Sequence, residues 1–142
     1  MRSLAFDSVE GIGHPEVRAT HRTTFEITRE AKLTKRGTCI LAVSANKAAS
    51  DLDEKLKESL KAGARLKITI RTGGLSDVIW GLGSADLKFG DLTSMVFRKS
   101  NFVDDRTVCI ECNKSASEID RRIISMLALP TTRMLMELEG FA

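Results

Sequence analysis

Asp7-Ser8-Val9-Glu10-Gly11-Ile12-Gly13-His14-Pro15-Glu16-Val17-Arg18 returns, in altered letters, as Asp77-Val78-Ile79-Trp80-Gly81-Leu82-Gly83-Ser84-Ala85-Asp86-Leu87-Lys88. At a constant shift of seventy residues, Asp7, Gly11 and Gly13 recur unchanged, while Val9, Ile12, Glu16, Val17 and Arg18 recur as residues of like character. The shift carries on to Thr23/Thr93, Thr24/Ser94, Phe25/Met95, Ile27/Phe97 and Arg29/Lys99. Further along, Asn46-Lys47 and Leu52, Leu56, Leu60 match Asn113-Lys114 and Ile119, Ile123, Leu127 at a shift of sixty-seven, so the second copy is three residues shorter near Val103–Arg106. Self-similarity at a fixed long period marks an internal duplication.

The pattern within each copy supplies the elements. Leu4–Ile12 reads as a strand that bends or bulges at Gly11 and Gly13. Thr23–Arg29 alternates apolar and polar residues with β-branched and aromatic enrichment, which predicts a half-buried strand. Cys39–Ser44 is a more apolar strand. Leu52, Leu56 and Leu60 then fall on one helical face, with Ser50 and Asp53 suggesting a capped start and Gly63 a stop. Arg65–Arg71 alternates strictly, and Thr72-Gly73-Gly74 joins the copies. Asp77–Leu82, Thr93–Arg98, Thr107–Glu111, a helix over Ile119–Leu127 and a strand over Arg133–Leu138 repeat the order.

The expected fold class is therefore α+β and β-dominated: a tandem βββαβ duplication over residues 1–142. Its halves, about 4–73 and 74–142, close into one sandwich or barrel-like body with two flanking helices. Neither half has enough strands to bury its own apolar faces.

Bulk properties narrow the function classes. The longest apolar run, Cys39–Val43, is far short of a membrane span, and no apolar signal core follows Met1, so a cytoplasmic protein away from the membrane is expected. Three cysteines do not suggest a disulfide framework. The net charge of +3 is unevenly held: residues 1–73 carry 14 Lys/Arg against 9 Asp/Glu, and residues 74–142 carry 8 against 10. That excess in the first half favours anions without being a nucleic-acid signature.

Duplication offers an internal control, because features present in one copy alone are candidates for specialisation. Both histidines lie in the first copy, where His14 and His21 stand against Ser84 and Asp91. They suggest a cleft for proton transfer or metal binding with His14, His21 and Asp91 as candidate catalytic residues; two surface loop histidines are the plainer explanation. Asn46-Lys47 and Asn113-Lys114 recur between a buried strand and a helix. Free amides, the positive helix end and a lysine together make an anion site, so Asn46, Lys47, Asn113 and Lys114, with Arg22 assisting, are the candidate ligand-binding residues. Turn-forming asparagines and solvated lysines would explain the same residues.

Cys109-Ile110-Glu111-Cys112 replaces Ala42 and Ala45 of the first copy. Residues three apart on a strand face opposite ways, so these cysteines are expected to serve packing, and no metal site is expected. Arg65, Lys67 and Arg71 form a basic stripe, but with no tyrosine and one tryptophan there is little for bases to stack on. Gly11-Ile12-Gly13 and Gly81-Leu82-Gly83 lack dinucleotide-loop spacing, and no cofactor is expected.

Across Gly13–Val17, Ala19–Thr24, Glu26–Thr28, Leu33-Thr34, Arg36-Gly37, Ala45–Ala48, Arg98–Ser100 and Arg106-Thr107, the chain resembles an archaeal domain-of-unknown-function family, family 371. It departs from that family's pattern at Thr38 and Asn46, where an acidic residue is usual. The resemblance implies a small, β-rich archaeal protein and brings no activity with it. Three functions stay open: a binding domain for a phosphate-bearing ligand or RNA, a hydrolytic or metal-assisted enzyme, and a structural partner subunit.

Overall fold

The computed structural model describes all of residues 1–142, which form eight strands and two helices joined by turns and loops. In order they are β1 (Ser3–Ile12), β2 (Thr24–Thr28), β3 (Ile40–Ala42), α1 (Glu54–Lys61), β4 (Arg65–Thr72), β5 (Leu75–Leu82), β6 (Ser94–Arg98), β7 (Thr107–Cys109), α2 (Arg121–Leu127) and β8 (Arg133–Phe141). A short 3-10 turn precedes each helix, at Ala49–Asp51 and Ala116–Glu118. The class is α+β and strand-dominated, as the alternation predicts. No helix is long and apolar enough to cross a membrane.

The strands form two four-stranded sheets, ordered β1-β8-β4-β5 and β3-β2-β6-β7. In the first, all neighbours are antiparallel. In the second, β2 and β6 pair antiparallel at the centre, and β3 and β7 flank them in parallel. Single bridges join the sheets at two corners, Ile12 to Val43 and Leu82 to Ile110. One core of 33 buried residues draws on both sheets and both helices, including Phe25, Ile68, Leu138, Leu56 and Ile123. Phe25 and Phe97 stack at its centre, 4.6 Å between ring centroids.

The β4–β5 connection shows how sequence sets geometry. Thr72 pairs with Leu75, so Gly73 and Gly74 alone make the turn, at φ +53° and +81°. Both values lie in the left-handed region that a two-residue hairpin turn requires and glycine tolerates. The helix ends also follow local rules. Asp53 caps α1 by accepting from the Leu56 amide at 3.1 Å, and Gly63 follows its last turn at φ +89°. Ser50, expected to cap, instead lies within the preceding 3-10 turn.

Gly11 and Gly13 do not bend β1, contrary to the sequence expectation. The β1–β8 register is regular from Ala5 through Ile12, and its irregularity lies at Ser3/Ala5. The glycines are there for close approach. A side chain on Gly13 would collide with the Leu127 and Leu129 carbonyls at the end of α2, and one on Gly83 with the Leu60 carbonyl at the end of α1. Each half thus receives the helix end of the other against a bare backbone.

Candidate functional site

Two aspartates organise the ground around the helix entrances. Asp7 Oδ1 holds Lys47 Nζ at 2.5 Å, and Asp7 Oδ2 accepts from the Asp53 amide at 2.9 Å. Asn46 Oδ1 accepts from the Glu10 amide at 2.9 Å. Seventy residues on, Asp77 holds Lys114 at 2.7 Å and accepts from the Asp120 amide, while Asn113 accepts from the Trp80 amide at 3.0 Å. Nearby entrance amides are occupied too: Ala48 N donates to Asp51 and Ser115 N to Glu118.

The free lysines expected there are therefore absent. Both ammonium groups are neutralised by carboxylates that are about nine-tenths buried, 11% and 12% exposed. The asparagines act as braces between a strand and the loop beside it. Arg22 is exposed and makes no hydrogen bond or ion pair.

What lies beside Asn46 is a cavity of about 640 Å³, large enough for a small ligand. Its floor is the start of β8, Arg133–Leu135. One wall is Glu10–Ile12 with Ser44 and Asn46, and the other runs from Arg71 through the Gly73-Gly74 turn to Leu75. Arg71 pairs with Glu137, whereas the Arg133 guanidinium and the Glu10 carboxylate make no ion pair. Asn46 uses its side-chain oxygen on the protein, which leaves its side-chain amide donors without a protein partner. Of the residues singled out in the sequence for ligand binding, Asn46 alone lines this space.

The matching region of the second half is built from different side chains. Glu10 corresponds to Trp80. The shift of sixty-eight that carries Leu66, Ile68 and Ile70 to Met134, Met136 and Leu138 also carries Arg65 to Arg133 and Gly73 to Phe141. Trp80 and Phe141 meet with ring centroids 5.7 Å apart, and the Arg65 guanidinium lies 4.9 Å from the Trp80 ring. An aromatic pair thus stands where the first half has a glutamate and a glycine.

The histidines are turn braces. His14 Nδ1 accepts from the Glu16 amide at 3.0 Å, as Ser84 Oγ does from the Asp86 amide at 3.2 Å. His21 Nδ1 accepts from the Thr23 and Thr24 amides, as Asp91 Oδ2 does from the Thr93 and Ser94 amides. The substitutions that looked like specialisation exchange one acceptor for another. No group of three His, Cys, Asp or Glu side chains is placed to hold a metal ion.

The basic stripe on β4 is interrupted. Besides the Arg71–Glu137 pair, Lys67 sits opposite Glu139 in the β4–β8 register, and Arg65 is engaged with Trp80.

Residues 9–140 match a protein family described as a domain of unknown function, DUF371. The chain belongs to this family. It is also 42% identical over 119 residues to an uncharacterized protein of Methanocaldococcus jannaschii, covering 84% of this chain and 88% of that protein. The DUF371 description names no activity.

Two cysteine features of this DUF371 chain escape a sequence reading. Cys39 donates to Glu26 Oε1 at 3.3 Å, and burial together with the Glu26 charge pushes its thiol up to about 12 from 9.0. A thiol that ionises later in the folded state stabilises it below about pH 9, and that contribution is lost as pH rises towards about 12. Urea unfolding curves between about pH 8 and about pH 10 are expected to show stability falling with pH. The slope should flatten in Cys39→Ala and keep a residual part from Cys109, whose thiol burial also pushes up.

The second feature corrects an expectation. Cys109 and Cys112 do not face opposite ways: their sulfurs are 3.1 Å apart. β7 ends at Cys109, and Glu111 takes a left-handed φ of +50°, which turns Cys112 back towards its neighbour.

Proposed function

We propose that the protein is a binding domain for a small anionic, phosphate-bearing ligand held in the cavity between β1 and the β4–β5 turn. The observation that carries this reading is Arg133, exposed and without a carboxylate partner, lining a cavity of about 640 Å³. Arg71, held by Glu137 through Nε, adds its remaining guanidinium donors, and Asn46 and Ser44 add neutral donors, so the donor set suits a tetrahedral anion. Glu10 on the same wall suits a hydroxyl or amino group elsewhere on that ligand. The interrupted stripe on β4 favours a small molecule over RNA, because a polynucleotide needs a continuous track of unpaired cations.

We also infer that the chain is one domain made by tandem duplication of a βββαβ unit, closed into a single barrel-like body. Matched registers support it: β1 meets β8 with Val9 opposite Met136, and β5 meets β4 with Ile79 opposite Ile68. The two corner bridges and the shared core support the closure.

Calorimetric titration with pyrophosphate and with nucleoside monophosphates tests the assignment. Binding by the wild type is expected, weakened about tenfold or more in Arg133→Ala, as loss of a charge-assisted hydrogen bond predicts. Lys47→Ala and Lys114→Ala should retain affinity in proportion to the folded fraction. Absence of heat with the wild-type protein for every phosphate-bearing probe would end the proposal.

A further inference from the structure

The corner where Leu82 bridges to Ile110 contains a chemical group that its counterpart lacks. In the first half the matching corner, Ile12 to Val43, is built with Ala42 and Ala45 beneath Gly11. In the second, Cys109 and Cys112 take those places beneath Gly81, where an added side chain would lie 2.8 and 2.9 Å from the two sulfurs. The first corner is made without thiols, so the pair of sulfurs is particular to the second.

We infer that Cys109 and Cys112 are a redox-active dithiol that closes to a disulfide within the folded protein. With the sulfurs 3.1 Å apart, they need about 1 Å of travel to reach a bond of about 2.05 Å. The left-handed Glu111 already supplies the chain reversal that a bond between residues three apart demands. Both residues are buried, Cys109 fully and Cys112 to 4% exposure, and no third metal-ligating side chain accompanies them. That arrangement suits a bond between the two sulfurs better than a metal.

The oxidant we assign is a small-molecule disulfide. The Cys112 sulfur, the more exposed of the two, loses its proton and attacks one sulfur of the reagent, breaking its S–S bond and releasing one thiol. Cys109 then gives up its proton and attacks the Cys112 sulfur, expelling the second thiol. The protein pair loses two electrons and two protons, and the reagent gains both as two thiols. Burial of Cys109 makes the second step slow, so closure takes place on a long timescale and is reversed by excess dithiol.

The inference is independent of the anion site. It is tested by incubating the reduced full chain with oxidised glutathione, quenching in acid, alkylating under denaturing conditions and mapping the peptides by mass. The expected product has lost the mass of two hydrogen atoms and carries a label on Cys39 alone, whereas reduced protein labels at all three cysteines. Dithiothreitol should restore full labelling. Cys109→Ala/Cys112→Ala, which installs the residues of the matching corner, should fold and show no mass loss. Labelling of all three cysteines after prolonged oxidation, a glutathione adduct that persists on Cys112, or a bond involving Cys39 would each overturn the inference.

Discussion

Glu10→Trp is expected to abolish ligand binding, with affinity for a phosphate-bearing probe falling by about a hundredfold or more. The second half already makes this exchange: Trp80 stands at the matching position and meets Phe141 beneath the Arg65 guanidinium. Glu10 is exposed and its side chain holds no protein partner, so a larger residue there costs little stability. An indole at position 10 would reach over the Gly73 turn, fill the volume above Arg133 and draw that guanidinium onto its face. Calorimetric titration checks the loss, and an unchanged urea midpoint shows that the fold is intact. Wild-type affinity in a folded Glu10→Trp protein would remove the cavity from consideration.

For stability the largest effect is expected from Asp77→Ala, at about 2–3 kcal/mol. This carboxylate is 12% exposed, pairs with Lys114 and accepts from the Asp120 and Val78 amides. Removing it strands a partly buried ammonium and leaves two amides without their acceptor. Lys114→Met should cost less, because Asp77 would keep both amide contacts. A double-mutant cycle by urea unfolding separates the ion pair from the backbone bonds. Equal losses in the two single variants would show that the amide contacts contribute nothing.

These residues show what is legible in the sequence. Alternation in Arg65–Arg71 and the spacing of Leu52, Leu56 and Leu60 report directly on which face is buried, so strands and helices emerge close to their observed bounds. The repeat at seventy residues also locates Asp7, Asp77 and the Asn-Lys pairs as constructions common to both halves. Their role is hidden because Asp7 and Lys47 are forty residues apart, and nothing local announces an ion pair across that separation. The cavity is hidden for a related reason. Glu10, Arg71 and Arg133 come from three strands whose pairing order the sequence does not state. The visible clue is the pair of exchanges Glu10/Trp80 and Gly73/Phe141. For the histidines, comparison by residue type misleads where comparison by acceptor atom would not: imidazole and carboxylate do the same work at His21 and Asp91. For the cysteines, strand periodicity fails because the strand stops at Cys109.

The partnership of β1 with β8 bears on how the molecule comes into being. As the polypeptide emerges during synthesis, β1 can make only its end bridge from Ile12 to Val43, and the rest of its length has no strand to pair with until residues 133–141 exist. The β4–β5 hairpin is the sole antiparallel pairing of strands adjacent in the chain. Assembly is thus dominated by distant encounters, which makes it slow and leaves an apolar edge exposed to self-association in the interval.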